Sequence, residues 1–332
     1  MGYGLTRHIP SLGLKLSNFK DPQCSGLESK PPINGEDNRR WSNPGPGCTS
    51  EATWSELLER PGVPQDAISK YKKYLNYAFA AYLPEAEMVS QLRLDPTLDP
   101  EHIVPFPTKF NNACYGFVAR DSTGGNIYVV HRGSTSNALS TYYYDLQGKR
   151  VPWRKLSKFV GVHRGIKTVH TKCFPLWKPI LEEQLEGYPK AKVNLIGHSL
   201  GGALSVTGAL ELFQTVEGLK SRLRVFTFGA PPVGNRAFNL VYNKTKIPTI
   251  RITSGYDKVP NLKLRGRYTH VRGEHYITPD GKRTFECFYN ENTLAQDPEC
   301  IAKVSWFNFK SADHNNYWGI KEFIPYNNTP DM

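Results

Sequence analysis

The segment Val193–Gly202, with the sequence VNLIGHSLGG, places a tight turn between a strand-like run and a helix-compatible stretch. Val193 to Ile196 suit a buried strand, and Ala203 to Phe213 can continue as a helix. The pattern Gly-x-Ser-x-Gly lets the backbone bend sharply, because the flanking glycines carry no side chain that would clash. We therefore expect Ser199 at the C-terminal edge of a sheet and at the positive end of a helix, where a nucleophile would be placed.

Strand-like and helix-like segments alternate through most of the chain, which has 332 residues. Helices are predicted from about 64 to 83, where Pro84 stops the pattern, and from 167 to 185, with Pro175 and Pro179 as interruptions. Strands are predicted at 113–120, 126–131, 192–198, 223–228 and 248–253, and a later hairpin at 279–281. This order predicts an α/β protein with a mostly parallel mixed central sheet covered by helices.

Residues 1–63 differ from the rest by being rich in proline, glycine, serine and charge, so they are predicted to form an irregular leader. Residues 64–332 are predicted to form a single domain. The longest apolar run, Tyr77 to Leu83, is too short to span a bilayer, and residues 1–10 lack the apolar core of a signal peptide. As written, the chain is expected to be intracellular; it would be secreted if its true start lay elsewhere.

The net charge of +12 and the six cysteines limit the partners and cross-links that we expect. Because the basic residues are scattered, we predict an ordinary basic surface and no nucleic-acid partner, while anionic lipid headgroups stay a candidate partner. Cys24 with Cys48 and Cys287 with Cys300 are plausible disulfide pairs by proximity. Cys114 and Cys173 are interpreted as core thiols. The sequence does not set an oligomeric state.

A serine hydroxyl needs a base to accept its proton and a carboxylate to orient that base. In α/β-hydrolase-type chains the serine comes first, then the acid, then the histidine. The base must then follow Ser199, which leaves His270, His275 and His314. Asp257 is the candidate acid, because it comes just after the predicted strand 248–253, where catalytic groups gather.

His314 is preferred as the base over His270 because it lies in a polar, loop-like segment before a predicted final helix. His270, Glu274 and His275 could suggest a metal site, but on a strand their spacing places His270 and His275 on opposite faces. We therefore predict no metal.

The oxyanion formed during acyl transfer needs two backbone donors. The amide of Leu200, directly after the nucleophile, is the first candidate. Ser134 is the second, since it follows the predicted strand 126–131, and its hydroxyl could add a further donor. An ordinary turn at Gly133-Ser134 explains this short stretch equally well.

Together these motifs resemble the class 3 lipases, the filamentous-fungal and yeast triacylglycerol lipase family. The resemblance extends from about Tyr71 to Ile320. It is carried by RGS at 132–134, VHRG at 162–165, GHSLGG at 197–202, TFGAPPVGN at 227–235, DKVP at 257–260 and DH at 313–314.

The resemblance implies the α/β-hydrolase fold, with Ser199, Asp257 and His314 as the triad and Ser134 and Leu200 as the oxyanion hole. It gives Tyr268, His270, Gly273 and Glu274 a structural role, and it places a small disulfide loop at Cys287–Cys300. It also implies an amphipathic lid at about 135–147, whose apolar residues are Leu139, Tyr142, Tyr143, Tyr144 and Leu146. This segment lacks the tryptophan of the family pattern, and a packed tyrosine helix with no gating role is the alternative.

The expected activity is hydrolysis of carboxylic esters, above all acylglycerols at a lipid–water interface, through an acyl-enzyme and without metal or organic cofactor. Contact with a membrane surface or a lipid droplet is compatible with this expectation. A feruloyl-type or phospholipid esterase on the same fold is the first alternative. A non-catalytic lipid-binding relative is the second.

Overall fold

The computed structural model describes residues 60–106, 114–134, 150–153, 159–262, 268–303 and 310–326. The helices are α1 Gln65–Ala80, α2 Glu85–Leu92, α3 Arg164–Gly187, α4 Leu200–Thr215 and α5 Arg236–Lys244. The strands are β1 Leu98–Pro105, β2 Gly116–Asp121, β3 Asn126–His131, β4 Arg150–Pro152, β5 Gly161–His163, β6 Lys192–His198, β7 Leu223–Phe228, β8 Thr249–Ser254, β9 Glu274–Ile277, β10 Thr284–Glu286, β11 Tyr289–Asn290 and β12 Ala295–Gln296. Short 3-10 turns cover Glu217–Leu219, Ile301–Lys303 and Ser311–Asn315.

An eight-stranded sheet in the order β1-β2-β3-β6-β7-β8-β9-β10 forms the centre of the fold. The strands from β3 to β9 in this order run parallel, while β1 and β2 at one edge and β10 at the other are antiparallel to their neighbours. The predicted α/β architecture with a mostly parallel mixed sheet is thus confirmed.

The parallel strands end together at one edge of the sheet. His131 lies opposite Gly197, Gly197 lies opposite Thr227, and Phe228 lies opposite Ile252. Because parallel neighbours point the same way, the loops that follow β3, β6, β7 and β8 come together at this edge.

Helices cover both faces of the sheet, as expected when parallel strands are buried. On one face α1 presents an aromatic surface, in which the ring of Tyr74 lies 4.7 Å from that of Phe226. On the other face α4 packs on β6 and β7. Successive side chains of β6 point to opposite faces of the sheet. Ile196 packs in the apolar cluster with α1, whereas Leu195 packs against Gly208 of α4.

Helix α3 runs without a break through Pro175 and Pro179, so the predicted interruptions are wrong. Both prolines lie four residues apart on the exposed side, where water can satisfy the carbonyls that lose a backbone partner. The opposite side buries Cys173, Trp177 and Leu181 in the core. Tertiary packing therefore holds the helix together.

Several elements were not predicted, among them α2, α5 and β1, and one predicted element is absent from the described part of the chain. Helix α2 is short, and β1 is an edge strand that contains Pro100 and an irregular register between Leu98 and Ile103. The sequence pattern of such a strand is weak, because only one side of it pairs. The helix expected after His314 does not occur between residues 316 and 326, which form turns and a bridge between Tyr317 and Ile320.

The predicted leader lies outside the described residues except for 60–63, and so does the proposed Cys24–Cys48 pair. Val63 donates its N–H to the carbonyl of Thr284 at 2.8 Å, so this short piece extends the sheet beyond β10. None of the described helices is both long and apolar enough to cross a membrane.

Two disulfides cross-link the described residues. The predicted Cys287–Cys300 pair is confirmed. The interpretation of Cys114 and Cys173 as free core thiols is wrong, because they form a disulfide across 59 residues that ties the segment before β2 to α3. Proximity along the sequence could not find this pair, since the packing of α3 on β2 brings the two cysteines together.

Replacing Cys114 and Cys173 together by alanine is expected to lower the free energy of unfolding by about 4 kcal/mol, because a long loop regains its freedom in the unfolded chain. The matched double replacement of Cys287 and Cys300, which are 13 residues apart, is expected to cost about 3 kcal/mol. Urea unfolding of the three proteins measures both values. A loss below about 1 kcal/mol for the first pair would contradict the cross-link.

Candidate active site

Ser199 lies at the junction of β6 and α4, at the edge of the sheet where the parallel strands end. Its side chain is buried, and its backbone has φ 56° and ψ −126°, a left-handed conformation that non-glycine residues rarely adopt. The sharp bend brings the first turn of α4 against β3. A Cβ atom at Gly201 would lie 2.1 Å from the carbonyl oxygen of His131, so only glycine fits there.

The loop that follows β3 lies directly against Ser199. A Cβ atom built on Gly133 would lie 3.0 Å from the Cβ atom of Ser199, and the next residue, Ser134, is buried. Leu200 is the first residue of α4, so its N–H belongs to the first turn, whose amides have no acceptor within the helix. The two sequence-predicted oxyanion donors therefore lie in the two segments that meet at Ser199.

Asp257 and His314 are brought together from positions 57 residues apart. Asp257 follows β8 and is fully buried, and its Oδ2 atom accepts a hydrogen bond from Nδ1 of His314 at 2.9 Å. Its Oδ1 atom accepts from the backbone N–H of Val259 at 2.9 Å. With the proton on Nδ1, Nε2 of His314 is the basic nitrogen, and within the described residues this buried atom has no hydrogen-bond partner.

His314 is held in place, which differs from the expected free loop. It belongs to the 3-10 turn Ser311–Asn315 and is buried. Its backbone carbonyl accepts a hydrogen bond from Nε2 of His198 at 2.8 Å, and the side chain of the preceding Asp313 accepts from the N–H of Tyr256 at 2.7 Å.

The alternative bases lie elsewhere. Nε2 of His270 donates to the carbonyl of Pro260 at 2.6 Å, so this side chain supports the loop that carries Asp257. His275 packs its ring against Tyr71 of α1. The predicted strand through His270 begins only at Glu274, whose carboxylate pairs with the buried guanidinium of Arg251. The structural role that the resemblance implied for His270 and Glu274 agrees with these contacts.

The contacts of Glu274 also concern the possible metal site formed by His270, Glu274 and His275. Glu274 is engaged by Arg251 and by the hydroxyl of Thr253 at 2.8 Å, and it does not join His270 and His275 in a ligand set. Across the described ranges, one grouping has the proximity of metal ligands, Cys287 with Asp297 and Cys300. Its two cysteines form the disulfide and are not available as thiolates.

Two buried histidines next to the site are held neutral. Burial, together with the neighbouring His314, lowers the pKa of His198 well below its usual value. Burial lowers the pKa of His131 to about 3. Because desolvation disfavours the charged imidazole, neither ring adds a positive charge behind Ser199 at neutral pH.

Three site residues were not singled out from the sequence. Tyr82 donates its hydroxyl to Nδ1 of His198 at 2.9 Å, which places both residues beside the turn of His314. Gly229, just after β7, has φ 57° and lies between Asp257 and His314. The glycine in TFGAPPVGN and the histidine in GHSLGG were visible as parts of motifs, whereas Tyr82 carried no signal beyond helical spacing.

The parallel sheet, with a serine on the turn after β6, an aspartate after β8 and a later histidine, defines the α/β-hydrolase class. Comparisons with known proteins show which family the chain is similar to. The family model described as Lipase (class 3) matches residues 128–266, a range that contains Ser134, Ser199 and Asp257. Over this range the chain is similar to the class 3 lipases.

Two curated fungal relatives are similar to this chain at 32% identity. The lipase of Rhizomucor miehei matches over 205 residues, which cover 61% of this chain and 54% of the relative. The lipase of Rhizopus niveus matches over 211 residues, which cover 62% of this chain and 51% of the relative. The chain thus spans about half the length of the curated relatives it matches.

Solved structures extend the likeness to most of the described fold. Lipase II from Rhizopus niveus is 26% identical with a TM-score of 0.68, and the match covers 79% of this chain and 97% of that one. A triacylglycerol lipase whose catalytic centre is described as a serine protease triad is 27% identical with a TM-score of 0.67, covering 79% and 98%.

The predicted lid residues Leu139, Tyr142, Tyr143 and Tyr144 lie outside the described residues. Their role therefore stays a prediction.

Gly229→Ala is expected to reduce hydrolysis of a soluble nitrophenyl ester by about 10-fold or more, since small displacements of catalytic groups are costly. Its Cβ atom would lie 2.8 Å from Oδ2 of Asp257 and 3.0 Å from Nδ1 of His314. Gly281→Ala is the matched control, because Gly281 also has positive φ, at 72°, but a Cβ atom there meets nothing within 4 Å.

Gly281→Ala is expected to lose about 1 kcal/mol of stability from the strained backbone conformation, and Gly229→Ala is expected to lose more, because its Cβ atom also approaches the hydroxyl of Tyr317 to 2.4 Å. Only Gly229→Ala should lose activity. Equal activity in the two variants would contradict the assigned position of Gly229 between Asp257 and His314.

Proposed function

We propose that this protein is a serine carboxylic-ester hydrolase that cleaves acylglycerols, with triacylglycerols as the favoured substrates. The observation that carries the proposal is the hydrogen bond of 2.9 Å between the buried pair Asp257 and His314, at the same sheet edge as the strained Ser199. The match to the class 3 lipase model and the names of the fungal relatives favour lipid esters over other esters.

In the proposed reaction, Ser199 attacks the ester carbonyl while Nε2 of His314 takes the hydroxyl proton. Asp257 fixes the ring so that Nδ1 keeps its proton and Nε2 presents a lone pair, and its charge stabilises the imidazolium that forms. The proton then passes to the departing alcohol, leaving an acyl-enzyme. Water, activated by the same histidine, releases the fatty acid and restores Ser199.

Negative charge on the carbonyl oxygen would be stabilised by the backbone amides of Ser134 and Leu200. The N-terminal position of Leu200 in α4, a helix of 16 residues, adds the positive end of the helix dipole. The surroundings of Ser199 are buried, and in such surroundings a hydrogen bond to a charged oxygen is stronger than in water. No metal or organic cofactor is required by these steps.

Ser199→Ala is expected to lower the turnover of nitrophenyl butyrate by about 10⁴-fold or more, because the nucleophile is removed while the oxyanion donors stay. Purified wild-type and variant proteins are compared at equal concentration, with circular dichroism to show that both are folded. Turnover in Ser199→Ala close to the wild-type rate would overturn the hydrolase mechanism. No turnover in well-folded wild-type protein would favour the non-catalytic lipid-binding alternative.

Segment 135–147 is proposed to cover the site and to open at a lipid surface. The rate of tributyrin hydrolysis is then expected to rise steeply once the ester exceeds its solubility limit. The substitutions Leu139→Ser and Tyr142→Ser should slow the hydrolysis of emulsified triglyceride more than the hydrolysis of a dissolved ester. A hydrolysis rate that rises smoothly and saturates through the solubility limit would contradict the proposed role of segment 135–147. Faster cleavage of phospholipid or feruloyl esters than of triglycerides would favour the alternative esterases.

A further inference from the structure

We infer that Tyr82 and His198 are positioning residues that couple the oxyanion loop, residues 132–134, to the catalytic histidine His314. The inference rests on the proposed function, because it assigns both residues to the site formed by Ser199 and His314. Neither side chain is needed for the proton transfers described above. Their contacts nevertheless join the two segments whose mutual placement those transfers require.

The first half of the connection runs from His198 to the turn of His314. Nε2 of His198 lies 2.8 Å from the backbone carbonyl oxygen of His314. A carbonyl can only accept, so Nε2 of His198 carries a proton. Because burial keeps this imidazole neutral, Nδ1 carries a lone pair, and it accepts the hydroxyl proton of Tyr82 over 2.9 Å.

The second half runs from Tyr82 to the oxyanion loop. The Tyr82 hydroxyl packs directly against the backbone of this loop, because a Cβ atom on Gly133 would lie 2.2 Å from the hydroxyl oxygen. The same hydroxyl donates to His198. A continuous path of close contact and hydrogen bonds therefore leads from Gly133 through Tyr82 and His198 to His314.

Packing fixes both intermediate side chains. The ring of His198 lies 4.6 Å from the ring of His314, 5.4 Å from Phe79 and 6.0 Å from Tyr317. Tyr82 lies two residues after the end of α1, and its own N–H donates to the carbonyl of Phe79 at 2.9 Å. The end of α1 therefore sets where the Tyr82 hydroxyl lies.

This arrangement predicts an effect on the chemical step and not on substrate binding. The amide of Ser134 and the imidazole of His314 act most strongly in the transition state, so a small misplacement lowers kcat while KM is preserved. Replacing a residue with a purely structural role would lower the stability of the protein without lowering kcat at constant KM.

Tyr82→Phe removes one hydroxyl and is expected to lower kcat for nitrophenyl butyrate by about 10-fold or more, with KM unchanged within about two-fold. The matched control is Tyr77→Phe. Tyr77 lies on α1, is fully buried and donates its hydroxyl to Asp95 at 2.7 Å, away from the site. The control should lose thermal stability and keep wild-type kcat.

His198 provides a second, independent test. Nε2 of glutamine can replace the donor to His314, whereas asparagine is too short to reach it, so His198→Gln should keep more activity than His198→Asn. Side-chain ¹⁵N NMR should find His198 protonated at Nε2 in the wild type. In Tyr82→Phe the Nδ1 resonance should move downfield, because it loses its hydrogen bond.

Wild-type kcat in folded Tyr82→Phe would overturn the inference, and so would an equal loss in Tyr77→Phe. Equal activities of His198→Gln and His198→Asn, or a proton on Nδ1 of His198, would also overturn it. These results differ from a failure of the proposed function, in which Ser199→Ala itself would keep its activity. Loss of activity in Ser199→Ala together with an unaffected Tyr82→Phe would refute only the coupling.

Discussion

The left-handed backbone of Ser199 is the constraint on which the rest of the structure depends. Such a conformation costs about 1–3 kcal/mol in a non-glycine residue and persists only where the surroundings enforce it. Here β6 is hydrogen-bonded on both sides, by β3 and β7, and α4 is buried along most of its length. The strand and the helix cannot move apart, so the turn between them keeps the strain and the serine stays at the edge of the sheet.

The loop with Asp257 depends on a second buried arrangement below it. Arg251 on β8 pairs with Glu274 on β9, and it also donates from Nε to the carbonyl of Val271 at 2.7 Å. Glu274 accepts from the hydroxyl of Thr253 as well. Removing one partner of such a pair would leave a buried charge uncompensated, which is strongly destabilising. The pair thus fixes the strand from which the Asp257 loop emerges.

Much of the fold and the proposed catalytic residues could be predicted because their signals are local or ordered along the chain. The apolar run before Ser199, the turn after it and the strand before Asp257 each depend on neighbouring residues. The order of serine, acid and histidine then left three candidate bases.

The rest could not be predicted because it depends on contacts between distant segments. The Cys114–Cys173 disulfide and the Tyr82–His198 hydrogen bond join residues 59 and 116 positions apart. The two prolines of α3 were misjudged for the same reason, since the buried side of the helix compensates for what the sequence pattern shows as a break. His314 was expected in a free loop because its fixed position comes from Asp257 and His198, which the local sequence does not reveal.

Asn76 of α1 holds a segment that is synthesised much later. Its side-chain amide donates to the carbonyl of Ile324 at 3.0 Å and accepts from the N–H of the same residue at 2.8 Å, across 248 residues. The turn of His314 lies in this late segment. During synthesis on the ribosome, α1, the sheet and Ser199 can assemble before the proposed base, His314, has emerged. Until His314 has emerged and this segment has docked on α1, the nascent protein would lack the proposed base.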